Sequence, residues 1–212
     1  MDKKDLLLYA ITDCKRSKDA VLYEQIEQAL CGGATLIQIR EKEIDEYRFE
    51  KEIKEIKRLC NRFAEPLIIN DYVELALRCG ADGVHVGKSD MPVKEIRKLA
   101  GKDFIIGATT KTIEQAKTAE ESGADYLGVG AVFHTNTKEN VIRITIDQLK
   151  EIVASVSLPS VAIGGIKLSN MNLLKGCGAD GIAVVSAIFA ADDIRKATEE
   201  LRKEAEKTIL YS

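Results

Sequence analysis

Tryptophan is absent from the 212-residue chain and only five phenylalanines are present, which leaves few flat aromatic faces on which nucleobases could stack. A charge excess is missing as well: 31 Lys and Arg stand against 34 Asp and Glu, for a formal net charge of -3. Attraction to nucleic acid or to an anionic membrane is therefore not a property of the whole molecule, and any basic site must be local. Long hydrophobic runs are also lacking. The opening MDKKDLLLYAITDCK carries one short apolar stretch closed by Asp13, too short for a signal segment or a membrane span, so a cytoplasmic location is expected. The five cysteines (Cys14, Cys31, Cys60, Cys79 and Cys177) are odd in number and scattered, with no C-x-x-C pair and no His at metal-ligand spacing. They read as small buried hydrophobes rather than as disulfide, metal or redox groups.

What is present is regular. With 45% hydrophobic residues the chain can bury one large core, and a single domain over residues 1–212 is the expectation. Short β-rich runs alternate with longer helix-periodic ones. The strands expected are 6–12 (LLLYAIT), 35–40 (TLIQIR), 67–70 (LIIN), 83–87 (GVHVG), 104–109 (FIIGAT), 126–132 (YLGVGAV), 160–165 (SVAIGG) and 181–187 (GIAVVSA). The helical segments between them carry end signals, such as the glycine pair closing DAVLYEQIEQALCGG and Thr112 placed to cap TIEQAKTAEESGAD. A phrase of glycine, alanine, then acid or threonine recurs before strands, in CGGATL, CGADGV, SGADYL and CGADGI. Eight strands each followed by a helix, without a linker or low-complexity break, predict an α/β fold of the (β/α)8 TIM-barrel type; a doubly wound open sheet is the competing architecture.

In such a barrel the active site forms at the C-terminal ends of the strands. Polar residues gather at nearly all of those ends: Gln38, Arg40 and Lys42, then Asn70 and Asp71, Asp90, Thr109, the HTNTK run at 134–138, Gly164 and Gly165, and Ser186. Strand alternation puts Gln38, Arg40 and Lys42 on one face. Cations on the inner wall must be met by anions, and Lys138 adds a third. One reading is an internal ion-pair layer with Asp71, Asp90 or Glu41. The other is a bound polyanion with a divalent metal, for which Asp71 and Asp90 would supply the hard oxygen ligands that Mg²⁺ takes alongside substrate phosphate. Each aspartate also has a plainer use as a cap of the segment that follows it. The glycine pair at 164–165 and the polar residue at 186, each read as leading into a helix N-terminus, resemble a backbone phosphate site. Thr135 and Thr137 look like phosphate donors, His85 like a hydrogen-bonded core residue and His134 like a loop residue.

The segments QIREK, NDYVELAL, ADGVHVGKSD, ADYLGVGAVFHTNTK, AIGGI and GIAVVSAI resemble, in order and along almost the whole chain, the thiamine phosphate synthase family. That resemblance implies a transferase that joins 4-amino-2-methyl-5-hydroxymethylpyrimidine diphosphate to hydroxyethylthiazole phosphate and releases pyrophosphate. It implies that Gln38, Arg40, Lys42, Asn70 and Lys138 hold the pyrimidine diphosphate, with Thr109 where the family often has Ser, and that Asp71 and Asp90 hold Mg²⁺. Thr135, Thr137, Gly165, Val185 and Ser186 would hold the thiazole phosphate. Arg40, Lys42 and Lys138 would be catalytic, spreading the charge of a diphosphate that departs before the thiazole nitrogen attacks. Ala131 and Lys88 depart from residues common in the family, Pro and Gln. The partners implied are these small molecules, with neither nucleic acid nor membrane, and a homo-oligomer stays open.

Two rivals are kept. A thiazole tautomerase of the same barrel family would use a His in the strand-six segment, where Ala131 stands here. A non-catalytic barrel that binds phosphorylated ligands is the other, because fold alone does not fix function.

Overall fold

The computed structural model describes residues 1–12, 21–41, 46–135 and 142–210. Strands β1 (Leu8–Ile11), β2 (Leu36–Ile39), β3 (Leu67–Asn70), β4 (Gly83–Val86), β5 (Ile105–Thr110), β6 (Tyr126–Gly130), β7 (Ser160–Ile163) and β8 (Gly181–Val184) pair in parallel in chain order. β8 pairs back onto β1, in the register Tyr9 to Ala183, and closes the barrel. All the expected strands are there, most of them shorter at the ends because the last residues of each run turn into loops. Helices α1 (Val21–Cys31), α2 (Glu46–Phe63), α3 (Val73–Cys79), α4 (Val93–Ala100), α5 (Ile113–Glu121) and α6 (Ile146–Ala154) follow the first six strands. The cap expected of Thr112 forms, its hydroxyl accepting from Gln115 N at 3.2 Å.

One expectation fails after β7. No α-helix follows that strand; the chain makes a 3-10 turn at Met171–Leu174. Gly164 and Gly165 take left-handed φ values of 101° and 67°, and Asn170 ties the segment back by donating to the Gly165 carbonyl at 3.0 Å and accepting from Lys167 N at 2.9 Å. These local bonds compete with an α-helical ladder, as short polar side chains do. After β8 comes a single turn, α7 (Ser186–Phe189), and then α8 (Ile194–Ala205), capped by Asp193.

Strand alternation sorts the core into two parts. Ile37 and Ile39 of β2, with Leu67, Ile69, Ile106 and Leu127, face the helices and pack against residues such as Ile53 and Ile56. Leu36, Tyr9, Ile11, Ile68, Tyr126, Val161 and Ala183 form a separate cluster inside the barrel. Gln38 shares the inner face with Leu36 and is 2% exposed. Gln38 and Arg40 of the run TLIQIR are thus interior residues, and Ile37 and Ile39 beside them serve the outer layer.

The recurring phrase before strands has a mechanical role at the opposite, N-terminal end. Asp82 N donates to the Leu67 carbonyl at 2.9 Å, while Leu67 N donates to Asp82 Oδ2 at 2.7 Å. The same reciprocal pair joins Asp125 to Ile106 and Asp180 to Ser160, and Thr35 joins Leu8 through its hydroxyl at 2.9 Å. The first N–H of β1, β3 and β7, and the second of β5, are satisfied in this way, as buried backbone donors must be. The aspartates also meet cations: Lys57 on Asp82, Arg97 on Asp125 and Lys3 on Asp180. Such partly exposed ion pairs contribute little by themselves; the backbone clamp is the larger effect. Asp125→Ala is expected to lower stability by about 1–3 kcal/mol, the cost of leaving a buried donor unmet, seen as a lower urea midpoint, whereas Asp125→Asn should keep most of it. An alanine variant within about 0.5 kcal/mol of the parent, as for ordinary surface changes, would refute the clamp.

Candidate active site

At the C-terminal ends of the strands lies a cavity of about 160 Å³. Strand alternation delivers its walls: Gln38 and Arg40 continue the inner face of β2, Asn70 that of β3, His85 that of β4, and Thr109 and Lys111 that of β5. Thr135, Gly165, Val185 and Ser186 also line it, so eight of the expected site residues come together: these four with Gln38, Arg40, Asn70 and Thr109. Lys42, Thr137 and Lys138 lie outside the described residues.

The wall under Thr135 is built by close approach. Val132 N and Phe133 N donate to the Ile163 and Gly164 carbonyls, both at 3.0 Å. A side chain on Gly164 would meet Ala131 Cβ at 2.3 Å, and one on Gly165 would meet the His134 carbonyl oxygen at 2.2 Å. Together with their left-handed φ values, this restricts both positions to glycine. The pair therefore seats the loop after β6 and does not open an α-helix, which corrects half of the expected phosphate site. Its other half, at Ser186, begins a helix of only four residues.

Asp71 and Asp90 do not line the cavity; they follow the ends of the adjacent strands β3 and β4. Asp71 has a left-handed backbone with φ 63°, a region that Asp tolerates better than most residues. Its amide donates to the His85 carbonyl at 3.0 Å and its Oδ2 accepts from Asn70 Nδ2 at 2.5 Å. It is not the helix cap weighed from sequence: Tyr72 holds that position in α3, with no side-chain capping bond to the helix. Asp90 Oδ2 accepts from Gly87 N at 2.7 Å, so it closes the turn after β4, and Pro92 rather than Asp90 precedes α4. Among the described residues no group of three or more His, Cys, Asp or Glu could enclose a metal ion. Asp71 and Asp90, which follow neighbouring strands, offer a set of two hard oxygen donors. That set fits Mg²⁺, which is commonly held by one or two carboxylates with substrate phosphates and water completing its shell.

Beneath the cavity runs a buried polar chain that the sequence did not reveal. Gln38 Nε2 donates to the Tyr9 hydroxyl. The Tyr9 and Tyr126 hydroxyls are 2.8 Å apart, Tyr126 lies 3.0 Å from His85 Nδ1, and His85 Nε2 lies 2.9 Å from Thr109 Oγ1. Burial raises the pKa of both phenols; the hydrogen bonds of Tyr9 to Tyr126 and Gln38 oppose the shift only in part, whereas at Tyr126 its neighbour Tyr9 adds to it. His85 is buried and hydrogen-bonded, as expected, but it also lines the cavity; His134 is an exposed loop residue. Lys111 is a further lining cation missed from sequence. Its signal was the alternation of β5, in which Lys111 shares a face with Thr109.

Comparisons with known proteins agree on one family. A family model described as thiamine monophosphate synthase matches residues 8–188. The chain is 45% identical to a thiamine-phosphate synthase of Clostridium tetani, over 93% of this chain and 94% of that protein. It is 44% identical to a thiamine-phosphate synthase of Methanobrevibacter smithii, over 96% of this chain and 97% of that one. A solved structure of thiamine phosphate pyrophosphorylase from Pyrococcus furiosus superposes with a TM-score of 0.89 at 40% identity, covering 98% of both chains.

The interior rings leave a direct test of this packing. A Cβ on Gly107 would lie 2.2 Å from Tyr126 Cζ and 2.4 Å from His85 Nδ1. Gly107→Ala is expected to cost about 1–3 kcal/mol through overpacking in denaturant unfolding; parental stability would mean that the two rings have room to move.

Proposed function

We propose a mechanism from the premise that this chain belongs to the thiamine monophosphate synthase family and is a transferase that makes thiamine phosphate. The substrates are 4-amino-2-methyl-5-hydroxymethylpyrimidine diphosphate and hydroxyethylthiazole phosphate, and pyrophosphate is released. The observation that carries this reading is the charge of the cavity. Its charged lining residues, among those described, are Arg40 and Lys111, with no carboxylate between them, in a chain whose net charge is -3. Cations gathered against that balance at one mouth suit a polyanionic ligand.

Arg40 binds the diphosphate as a planar, permanently charged fork, and Lys42 and Lys138 add point charges by their place in the sequence. Asp71 and Asp90 would hold Mg²⁺, which when bound supplies further neutralisation of diphosphate oxygens. Charge grows on those oxygens as the carbon–oxygen bond breaks, so preorganised cations stabilise the transition state more than the ground state. The electron-rich aminopyrimidine bears the resulting benzylic-type cation, and the thiazole nitrogen then attacks it. No general base is required. Gln38, Asn70 and Thr109 orient the pyrimidine, while Thr135, Thr137, Gly165, Val185 and Ser186 seat the thiazole phosphate. The apolar walls, including Ile11, Val161, Ile163 and Ile166, exclude water that would otherwise capture the cation. The tautomerase alternative lacks its base here, since Ala131 stands on the cavity wall.

Pyrophosphate should appear only when both substrates and Mg²⁺ are supplied; release without the thiazole phosphate, or none at all, would count against the reading. With the bridging oxygen of the pyrimidine diphosphate labelled by oxygen-18, recovered substrate should show the label scrambled to non-bridging positions, whereas concerted displacement leaves it in place.

Asp71→Asn and Asp90→Asn should each lower turnover at limiting Mg²⁺ by at least the roughly 10–100-fold typical of losing a supporting metal contact, with partial recovery at higher Mg²⁺. Full activity of either at low Mg²⁺ would remove the metal assignment. Ser186→Ala should raise the KM for the thiazole phosphate by about tenfold or less, the value of one neutral hydrogen bond, and leave that for the pyrimidine diphosphate unchanged. A parallel rise in both would undo the two-site division of the cavity.

A further inference from the structure

With the Gln38 amide turned so that Nε2 faces Tyr9, the buried chain beneath the cavity has one arrangement of protons that satisfies every member. Gln38 Nε2 can only donate, so the Tyr9 oxygen accepts from it. The Tyr9 proton then goes to its other partner, the Tyr126 oxygen, 2.8 Å away. Tyr126, which is fully buried, must place its own proton on His85 Nδ1 at 3.0 Å. If Nδ1 carried the proton instead, Tyr126 would receive two donors and its own hydroxyl hydrogen would have no acceptor, a cost of the kind that buried polar groups avoid. His85 is thereby fixed with its hydrogen on Nε2, which donates to Thr109 Oγ1 at 2.9 Å. The Thr109 hydroxyl, its oxygen already accepting, turns its hydrogen toward the cavity that it lines. At the other end, Gln38 lines the same cavity, and with Nε2 tied to Tyr9 its amide has its carbonyl oxygen left to act as an acceptor.

Packing of the neighbouring strands holds the His85 ring in this place. A Cβ on Gly107 would sit 2.4 Å from His85 Nδ1, and one on Gly128 3.0 Å from His85 Cε1, so β5 and β6 leave the imidazole the space it occupies. The two rings lie 5.4 Å apart at 40°. Burial raises the pKa of both phenols, which keeps their protons in place for the relay.

We propose that Tyr9, Tyr126 and His85 form a positioning relay that sets Thr109 as a hydrogen-bond donor on the β5 wall and Gln38 as an acceptor on the β2 wall of the substrate cavity. None of the three need touch the reacting atoms. The relay fixes polarity: a ring that offers an acceptor to Thr109 and a donor to Gln38 is admitted, and one with that pair reversed meets two mismatched groups. Mismatch of buried polar groups is the strongest form of small-molecule discrimination. The kinetic part of this inference rests on the synthase reading above; the protonation part does not.

The chain has two histidines, His85 and His134, so nitrogen-15 correlation NMR of the ligand-free protein can report the His85 tautomer directly. The hydrogen is expected on Nε2 in a single population, and in Tyr126→Phe a mixture of tautomers is expected. A hydrogen on Nδ1 in the parent protein would overturn the proposal whatever the enzyme's activity. In steady-state assays Tyr126→Phe should raise the KM for the pyrimidine diphosphate about two- to tenfold with that for the thiazole phosphate unmoved. Added to Thr109→Ala, it should cause less than about a twofold further change, because the two changes act through one path. Independent multiplication of the two effects, or a Tyr126→Phe enzyme with both KM values unaltered, would overturn the relay. Should Tyr126→Phe fail to fold, Tyr9→Phe and the tautomer of the parent protein carry the same test. A parent chain with the predicted tautomer that makes no thiamine phosphate would instead defeat the substrate assignment alone.

Discussion

Two phenol rings meeting edge to face inside the barrel set the terms for the rest of the molecule. Tyr9 and Tyr126 have centroids 5.9 Å apart at 72°, and their hydroxyls touch. A small eight-stranded barrel must be filled by side chains, and two rings of this size fill it only if neighbouring strands carry none at the same height. Gly107 on β5 meets that condition beside Tyr126, and Gly128 on β6 leaves room for the His85 imidazole. Because a buried hydroxyl needs a partner, the rings also require polar neighbours, which Gln38 and His85 provide. A polar floor under the cavity is therefore a consequence of how the interior is packed.

The two ends of the barrel use similar residues for different purposes. At the N-terminal end Asp82, Asp125 and Asp180 each engage a backbone N–H and a cation, and the result is a rim held in register. At the C-terminal end Asp71 and Asp90 bind a neighbouring amide group and a turn N–H. The reciprocal clamps described for the N-terminal end involve neither of them. The clamps lie at one face and the cavity at the other, which matches the division of stability and ligand chemistry common to this fold.

Asp71 illustrates how backbone shape serves the rim. Its left-handed φ and its amide bond to the His85 carbonyl turn the chain sharply at the end of β3, so that α3 starts one residue later at the unassisted cap Tyr72. A helix whose first N–H groups lack a side-chain acceptor gives up about 0.5–2 kcal/mol relative to a capped one. The carboxylate is left at the mouth next to Asn70.

The strands, their order and the face of each residue were legible in the amino-acid sequence, because the side-chain period of two and the glycine and acid signals are local properties of the chain. So were the identity of the fold and the gathering of Gln38, Arg40, Asn70, Thr109, Thr135 and Ser186, since residues at strand ends of one barrel converge whatever the loops do. The segment after β7 was misread because Asn170 and two left-handed glycines compete with a helix through bonds that periodicity does not register. Nor could alternation reveal the height at which a side chain sits inside the barrel. The Tyr9–Tyr126 contact spans 117 positions of sequence, and it is the stagger of eight paired strands that brings those rings to one level with Gln38 and His85. The sequence by itself determined which residues face inward; only the closed barrel decided which of them touch, because contact across the interior depends on register summed around the whole sheet.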